Sequence, residues 1–426
     1  MDTTTEKMKF FIKWTLAGWA ARVLLALFGS KVNKEGWEDR VLIVDFHGIG
    51  DVIIATSVLA QYRRHFGGKK IHLAIARQSG LSPAAFGDTV DEVIKIDSSK
   101  FGTNPLYALR SINMLREIGF SEVVNQCLGI KEKTSRVVAA SLGAQRVVGY
   151  EGPWVELRNP ESARFDRYAR RHVFPRYAVT VPSIDRDFDR HGGHPANALL
   201  HHDAIRMAVT GGAPAREFSL NFHIDPAAVD GASRKMREMG LAKGRYVVLV
   251  PGASDPMKRW QVEKFAAVAA AVHARGFGLA TIGSPDEAVL GRRIAELASV
   301  PLVNGCGAFS LAESSVVVAN AHSVITNDTG PVHVAVALGV PSVCIPAGAH
   351  LGMNSLYGRR GVNRWVYKDV GCLYDDWRCA ATVPVGEPAP CIAAVEADDV
   401  IREFDGLLDY LKRHPVRNEP FEPTFL

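Results

Sequence analysis

Four short stretches gather residue types that can move a proton or hold a phosphate. In His47-Gly48-Ile49-Gly50-Asp51, Gly48 and Gly50 leave room for a ligand to approach, and Asp51 supplies one carboxylate. That carboxylate is a general base if it faces a substrate hydroxyl, and a helix cap if it turns to the backbone. From this loop alone, capping is the simpler reading. In Pro251-Gly252-Ala253-Ser254-Asp255-Pro256-Met257-Lys258-Arg259-Trp260, Ser254 can donate a hydroxyl and Lys258 can set a cation over a phosphate. An ordinary strand–helix connection with surface cations would look similar.

The third stretch, Gly283-Ser284-Pro285-Asp286-Glu287, offers carboxylates suited to ribose hydroxyls. Favourable charge in a helix first turn accounts for Asp286 more readily than for Glu287. The fourth, Asn327-Asp328-Thr329-Gly330-Pro331-Val332-His333, reads as a helix start fixed by Pro331. There Thr329 and the Gly330 amide would face an anion at the positive end of the helix dipole. His333 is either an imidazole for that anion or a buried structural histidine.

The elements that must carry these loops alternate between strand and helix. The runs at 41–46, 71–76, 92–96, 122–125 and 146–150 read as strands, with a helix over 53–66. Residues 151–212, rich in Arg, Pro, His and Gly, read as loops with short helices. A second series opens at 246–250 and continues through helix 262–274, strand 279–283, a helix through 292–297, strand 301–304, helix 311–319, strand 323–326, a helix from about 331 and strand 342–345. Strands separated by helices build parallel sheets, and ligands bind beyond their carboxyl ends. The pattern predicts an α/β protein with two Rossmann-like domains facing a central cleft, plus an extra N-terminal helix. The expected divisions are 1–38 for that helix, 39–225, 226–395, and a C-terminal helix and tail at 396–426 that packs back on the N-terminal domain.

Composition sets outer limits. The 426 residues are 47% hydrophobic and 22% charged, as in folded soluble proteins, which excludes wholesale disorder. A net charge of +5 over this length does not suggest a nucleic-acid partner. Six cysteines form no disulfide scaffold. Lys13 and Arg22 interrupt the apolar run 10–28, so the sequence predicts neither a membrane span nor a signal peptide there. It is either an interfacial helix or one packed on the protein itself. The glycine loop is a poor dinucleotide fingerprint, because Ile53 stands where the third glycine belongs.

Taken together, GDVIIATSVL (50–59), PGASDPMKRW (251–260), GSPDE (283–287) and NDTGPVHVAVALGVP (327–341) resemble the pattern of glycosyltransferase family 9, whose best-known members are bacterial lipopolysaccharide heptosyltransferases. The resemblance spans roughly residues 41–410. It implies a GT-B fold and an inverting transfer from a nucleotide-sugar donor, typically ADP-heptose, to an anionic glycolipid or glycan acceptor. It implies no metal and no cofactor. By the same resemblance Asp51 is the catalytic base; Ser254 and Lys258 fall on donor-phosphate positions and Glu287 on the ribose carboxylate. Asp328, Thr329, Gly330 and His333 form the donor-sugar and diphosphate loop. His47, Gly48 and Gly50 border the acceptor.

Arg164, Arg167 and Arg171, at helical spacing in an arginine-rich stretch, would hold an anionic acceptor or simply face water. The expected location is cytoplasmic, with the N-terminal helix available to the inner-membrane surface. Ala253, Ser57 and His47 depart from the residues common in relatives. Cys372, Cys379 and Cys391 resemble a cysteine-bearing stretch of many relatives but lack the paired spacing of a zinc site. Asp185, Asp187 and Asp189 mimic a D-x-D metal motif outside any clear strand. His191, His194, His201 and His202 read as loop and helix histidines. Two other classes stay open: a nucleotide-sugar epimerase, and a non-catalytic nucleotide-sugar-binding protein.

Overall fold

A computed structural model describes residues 23–101, 103–127, 132–151, 179–182, 197–371, 373, 379, 383–384 and 386–414. β1 to β6 run at Arg40–Asp45, Lys70–Ala76, Glu92–Ile96, Glu122–Asn125, Arg146–Glu151 and Val179–Pro182. β7 to β12 run at Tyr246–Val250, Gly278–Thr281, Val303–Asn304, Ser323–Asn327, Ser342–Ile345 and Asn363–Trp365. The apolar runs become strands because helices cover both faces: β7 and β10 are buried along their whole length. All pairings among the described strands are parallel. The first sheet is ordered β3-β2-β1-β4-β5-β6 and the second β12-β11-β10-β7-β8-β9. Numbered within each sheet, both follow the 3-2-1-4-5-6 order of a dinucleotide-binding fold.

Two compact units result, one around each sheet. From Arg216 onward the chain belongs to the second unit. The core of the first unit gathers Leu42, Val44, Phe46, Ile112 and Phe120, and that of the second Val247, Trp260, Phe265, Ile325 and Phe404. The C-terminal helix Ala397–Arg413 buries Val400, Phe404 and Leu407 in the second core. It belongs to the second unit, where its apolar stripe meets helix Val262–Ala274 and its neighbours.

Other expectations need correction. The segment read as one helix over 53–66 is two, Ile49–Ala55 and Leu59–Phe66, separated by a 3-10 turn at Thr56–Val58. The stretch read as loops with short helices also contains a strand, β6, and its helix Ala198–Thr210 runs to 13 residues. Of the N-terminal segment, residues 23–28 are helical and 29–34 are not. Leu25 is buried in the first core. Beyond it the chain is tied to helix Pro105–Ile118: Asn33 N–H donates to Arg116 O at 2.8 Å, and Ser30 N–H to Asn113 Oδ1 at 2.9 Å. Gly119 ends that helix at φ +75°, and a side chain there would meet the Asn33 backbone.

Candidate functional site

In an open parallel sheet, ligands bind outside the carboxyl ends of strands where the order reverses. The second sheet reverses between β7 and β10, and the loops leaving these strands are Pro251–Trp260 and Asp328–Thr329. A single side chain joins them. Asn327 Nδ2 donates to Pro251 O at 2.9 Å, while Asn327 Oδ1 accepts from Trp260 N–H at 3.1 Å. Trp260 is buried, donates its indole N–H to Val395 O at 2.9 Å, and packs edge-on against Phe265. Asp255 caps the 3-10 turn Pro256–Lys258 through Met257 N–H, which sets the direction of Lys258.

Lys258 Nζ lies 3.4 Å from Asp328 Oδ2, so the two loops also meet as an ion pair. His333 Nε2 stands 3.9 Å from the other Asp328 oxygen, and its Nδ1 bonds the buried Tyr357 hydroxyl. His333 is itself buried and reaches the loop through Asp328. Thr329 is the N-cap residue of helix Gly330–Ala337, with Pro331 in its first turn; Thr329 and Gly330 are half-buried there, and Ser254 is exposed. The arrangement presents a cation, a hydroxyl and a helix start at the ends of two adjacent strands. That is a diphosphate-binding chemistry.

Glu287 reaches back to accept Ser284 N–H at 2.7 Å, so it takes the structural role expected chiefly of Asp286. It also lies against Gly252 and Gly283, where any side chain would collide with its carboxylate. These two glycines let one carboxylate sit at the ends of β7 and β8.

The first sheet reverses between β1 and β4. Gly48, exposed, is the N-cap residue of helix Ile49–Ala55, and Gly50 and the half-buried Asp51 lie in its first turn. A side chain at Gly48 would come within 3.6 Å of Asp51 Oδ2, so this carboxylate hangs over the loop. His47 is held by Asp45: its Nδ1 lies 2.7 Å and its backbone N–H 3.1 Å from Asp45 Oδ1. Burial pushes the Asp45 carboxyl up, but the charge and hydrogen bond of His47 outweigh it and hold the group below its ordinary value. Behind the pair, burial drives His202 down to about 3, leaving it uncharged.

The geometry thus brings Lys258, Asp328, Thr329, Gly330 and His333 together, and sets His47, Gly48, Gly50 and Asp51 at one loop of the other sheet. Arg164, Arg167 and Arg171 lie outside the described residues, as do Asp185, Asp187, Asp189, His191, His194 and Cys372. His201 and His202 are buried in helix Ala198–Thr210, with Tyr150 OH 2.8 Å from His201 Nδ1. Cys391 is buried and accepts Gly348 N–H at 3.2 Å, a packing role. Sequence reasoning missed Asp45, Cys127, Asn327 and Tyr357. Only Asn327 stood inside a motif, where its amide could have been read as a link between strand ends.

Two parallel six-stranded sheets with this order define the GT-B class of fold. Residues 203–359 match the model of glycosyltransferase family 9 (heptosyltransferase). A lipopolysaccharide heptosyltransferase 3 of Escherichia coli is 30% identical over 123 residues, which are 28% of this chain and 36% of that protein. The chain thus spans about a third of the length of the curated relatives it matches. The solved E. coli ADP-heptose lps heptosyltransferase II superposes with a TM-score of 0.61 at 16% identity, over 88% of this chain and 99% of that one. A family 9 glycosyl transferase from Veillonella parvula gives 0.61 at 18% identity, over 89% and 100%. At these identities the likeness is one of fold. Among the described residues no helix is long and apolar enough to cross a membrane.

Proposed function

We propose that the protein is an inverting glycosyltransferase that moves heptose from ADP-heptose to a hydroxyl of a lipopolysaccharide-core or related anionic glycan. The observation that carries this reading is the junction of the β7 and β10 loops, where Lys258, Asp328 and the Thr329–Gly330 helix start meet at the sheet reversal. The incoming diphosphate competes with Asp328 for the Lys258 ammonium, and Ser254 adds a hydroxyl donor. Glu287 receives the ribose. The relatives' names supply the nucleotide and the sugar.

In the reaction the acceptor oxygen attacks the anomeric carbon from the face opposite the diphosphate. A new carbon–oxygen bond forms as the bond to phosphate breaks, and that electron pair leaves with ADP. Asp51 takes the hydroxyl proton. The anomeric carbon passes through an oxocarbenium-like state, and charge growing on the diphosphate is met by Lys258 and the helix start. His47, Gly48 and Gly50 border the acceptor, and Arg164, Arg167 and Arg171 bind its anionic groups. The lipid part of such an acceptor would lie at the inner face of the cytoplasmic membrane, where the exposed Leu27 and Phe28 offer apolar contacts.

The test is a screen of ADP-, UDP- and GDP-sugars by thermal shift, followed by ADP release with and without lipopolysaccharide-core acceptors. ADP-heptose at 100 times its Kd should stabilise the protein by about 2.7 kcal/mol. Acceptor should then be required for rapid ADP release. If no nucleotide sugar raises the melting temperature, the transferase reading fails.

A further inference from the structure

The reversal point of the first sheet carries a second piece of chemistry. β1 and β4 are paired so that Val44 lies opposite Asn125, and Asp45-Phe46-His47 and Gln126-Cys127 run off the sheet side by side. Phe46 N–H points at Cys127 Sγ, 3.0 Å away. Ligand atoms of Asp45, His47 and Cys127 all lie within 4.8 Å of one another. Asp45 and Cys127 are buried, while His47 is partly open, with 12% of its side chain exposed.

We propose that Asp45, His47 and Cys127 form a binding site for a divalent transition-metal ion of the zinc class. The independent observation is an orphan: Asp45 Oδ2 is fully buried and has no hydrogen-bond partner, although Asp45 Oδ1 has two. A buried carboxylate oxygen left bare is costly, and an Asp–His pair beside a packed thiol does nothing for it. A cation does. His202 Nδ1, also buried and without a partner, belongs to an imidazole close enough to Asp45 and His47 to interact with both.

The donor set selects the metal. Sulfur, imidazole nitrogen and one carboxylate oxygen suit zinc, iron(II) or cobalt(II), whereas magnesium and calcium favour oxygen alone. Phe46 N–H supplies the kind of hydrogen bond that stabilises a metal-bound thiolate, and Asp45 Oδ1 orients His47. Three protein ligands leave a fourth position, and the exposed edge of His47 gives it a route to solvent. The site shares His47 with the proposed acceptor loop, but its test uses no substrate and stands apart from the transferase reading.

The full chain, treated with chelator and then titrated with Co2+ alone, should take up one equivalent. It should develop a thiolate-to-cobalt charge-transfer band and the visible absorption of a four-coordinate ion, both erased by Zn2+. Cys127→Ser should abolish the charge-transfer band. His47→Gln, whose amide can still bond Asp45, should weaken the Kd at least about tenfold, the low end even for an outer-shell change. Cys379→Ser should leave band and affinity unchanged. The proposal is overturned if the chain takes up no stoichiometric cobalt. It also fails if the band survives in Cys127→Ser or the Kd stays unmoved in His47→Gln.

Discussion

At the reversal of the first sheet, the loop after β1 meets the end of β4 with a carboxylate, an imidazole and a thiol. At the reversal of the second, the loops after β7 and β10 meet with a lysine, an aspartate and a helix start. The strand order is the same in both. The fold therefore fixes where chemistry can sit, while a handful of loop residues decides which chemistry it is. The second reversal is tied together by Asn327 and suits an anion. The first is built around an ionised carboxylate, Asp45, with Asp51 poised over its glycine turn.

Single substitutions should separate the two halves of this contrast. Asp51→Asn removes only the proposed proton acceptor, so turnover should fall by about 10²–10⁴ with donor affinity kept. Lys258→Ala should do the reverse in kind, weakening ADP binding along with turnover by about 10²–10³. Calorimetric titration with ADP beside steady-state rates distinguishes them; if Asp51→Asn also abolished ADP binding, the division of labour would be wrong. In the core of the second unit, Trp260→Ala should cost about 3–5 kcal/mol by opening a cavity and releasing the loop end. Denaturant unfolding should show that loss in the second unit's signals.

Asn327→Ala leaves Pro251 O and Trp260 N–H without their partner and should cost about 1–3 kcal/mol. Because it frees the two loops, it should weaken ADP binding too, which a merely local defect would not. The smallest effect concerns acid. Glu313 is held below its ordinary value by Lys235; Asp399 is raised by burial but lowered further by Lys368. Groups depressed in this way stabilise the fold above their unfolded pKa, near pH 4, and that stability disappears as pH falls through the lower folded value. The melting temperature should be level from about pH 7 to 5 and drop below about pH 4, less steeply in Glu313→Gln.

Much of the architecture is visible in the sequence because parallel strands covered on both faces must be uninterrupted apolar runs. YVVLV and SVCI are strands for that reason. Asn363–Trp365 escaped notice since Asn and Arg break the pattern, and its pairing with β11 defines it instead. Helix Ala198–Thr210 was hidden by His201, His202, Asp203 and Arg206. These are buried: Asp203 and Arg206 pair at 2.5 Å, and Tyr150 bonds His201, so polar residues occupy core positions where periodicity expects apolar ones. The motif residues Lys258, Asp328 and Thr329 were legible from loop chemistry. Tyr357 and Cys127 were not, because they act across 24 and 81 residues of chain, on His333 and Phe46.

The bridge made by Asn327 has a dynamic consequence. Loops that open and close independently must be ordered by the ligand, which weakens binding by the entropy lost. Here the carbonyl of Pro251 and the amide of Trp260 are held by one amide side chain at the end of β10, and the Trp260 indole is anchored at Val395. Both ends of the lysine-bearing loop are thus immobilised when the second unit folds. The loop behaves as part of the sheet, so the ordering cost of receiving the proposed diphosphate would be met before any ligand arrives.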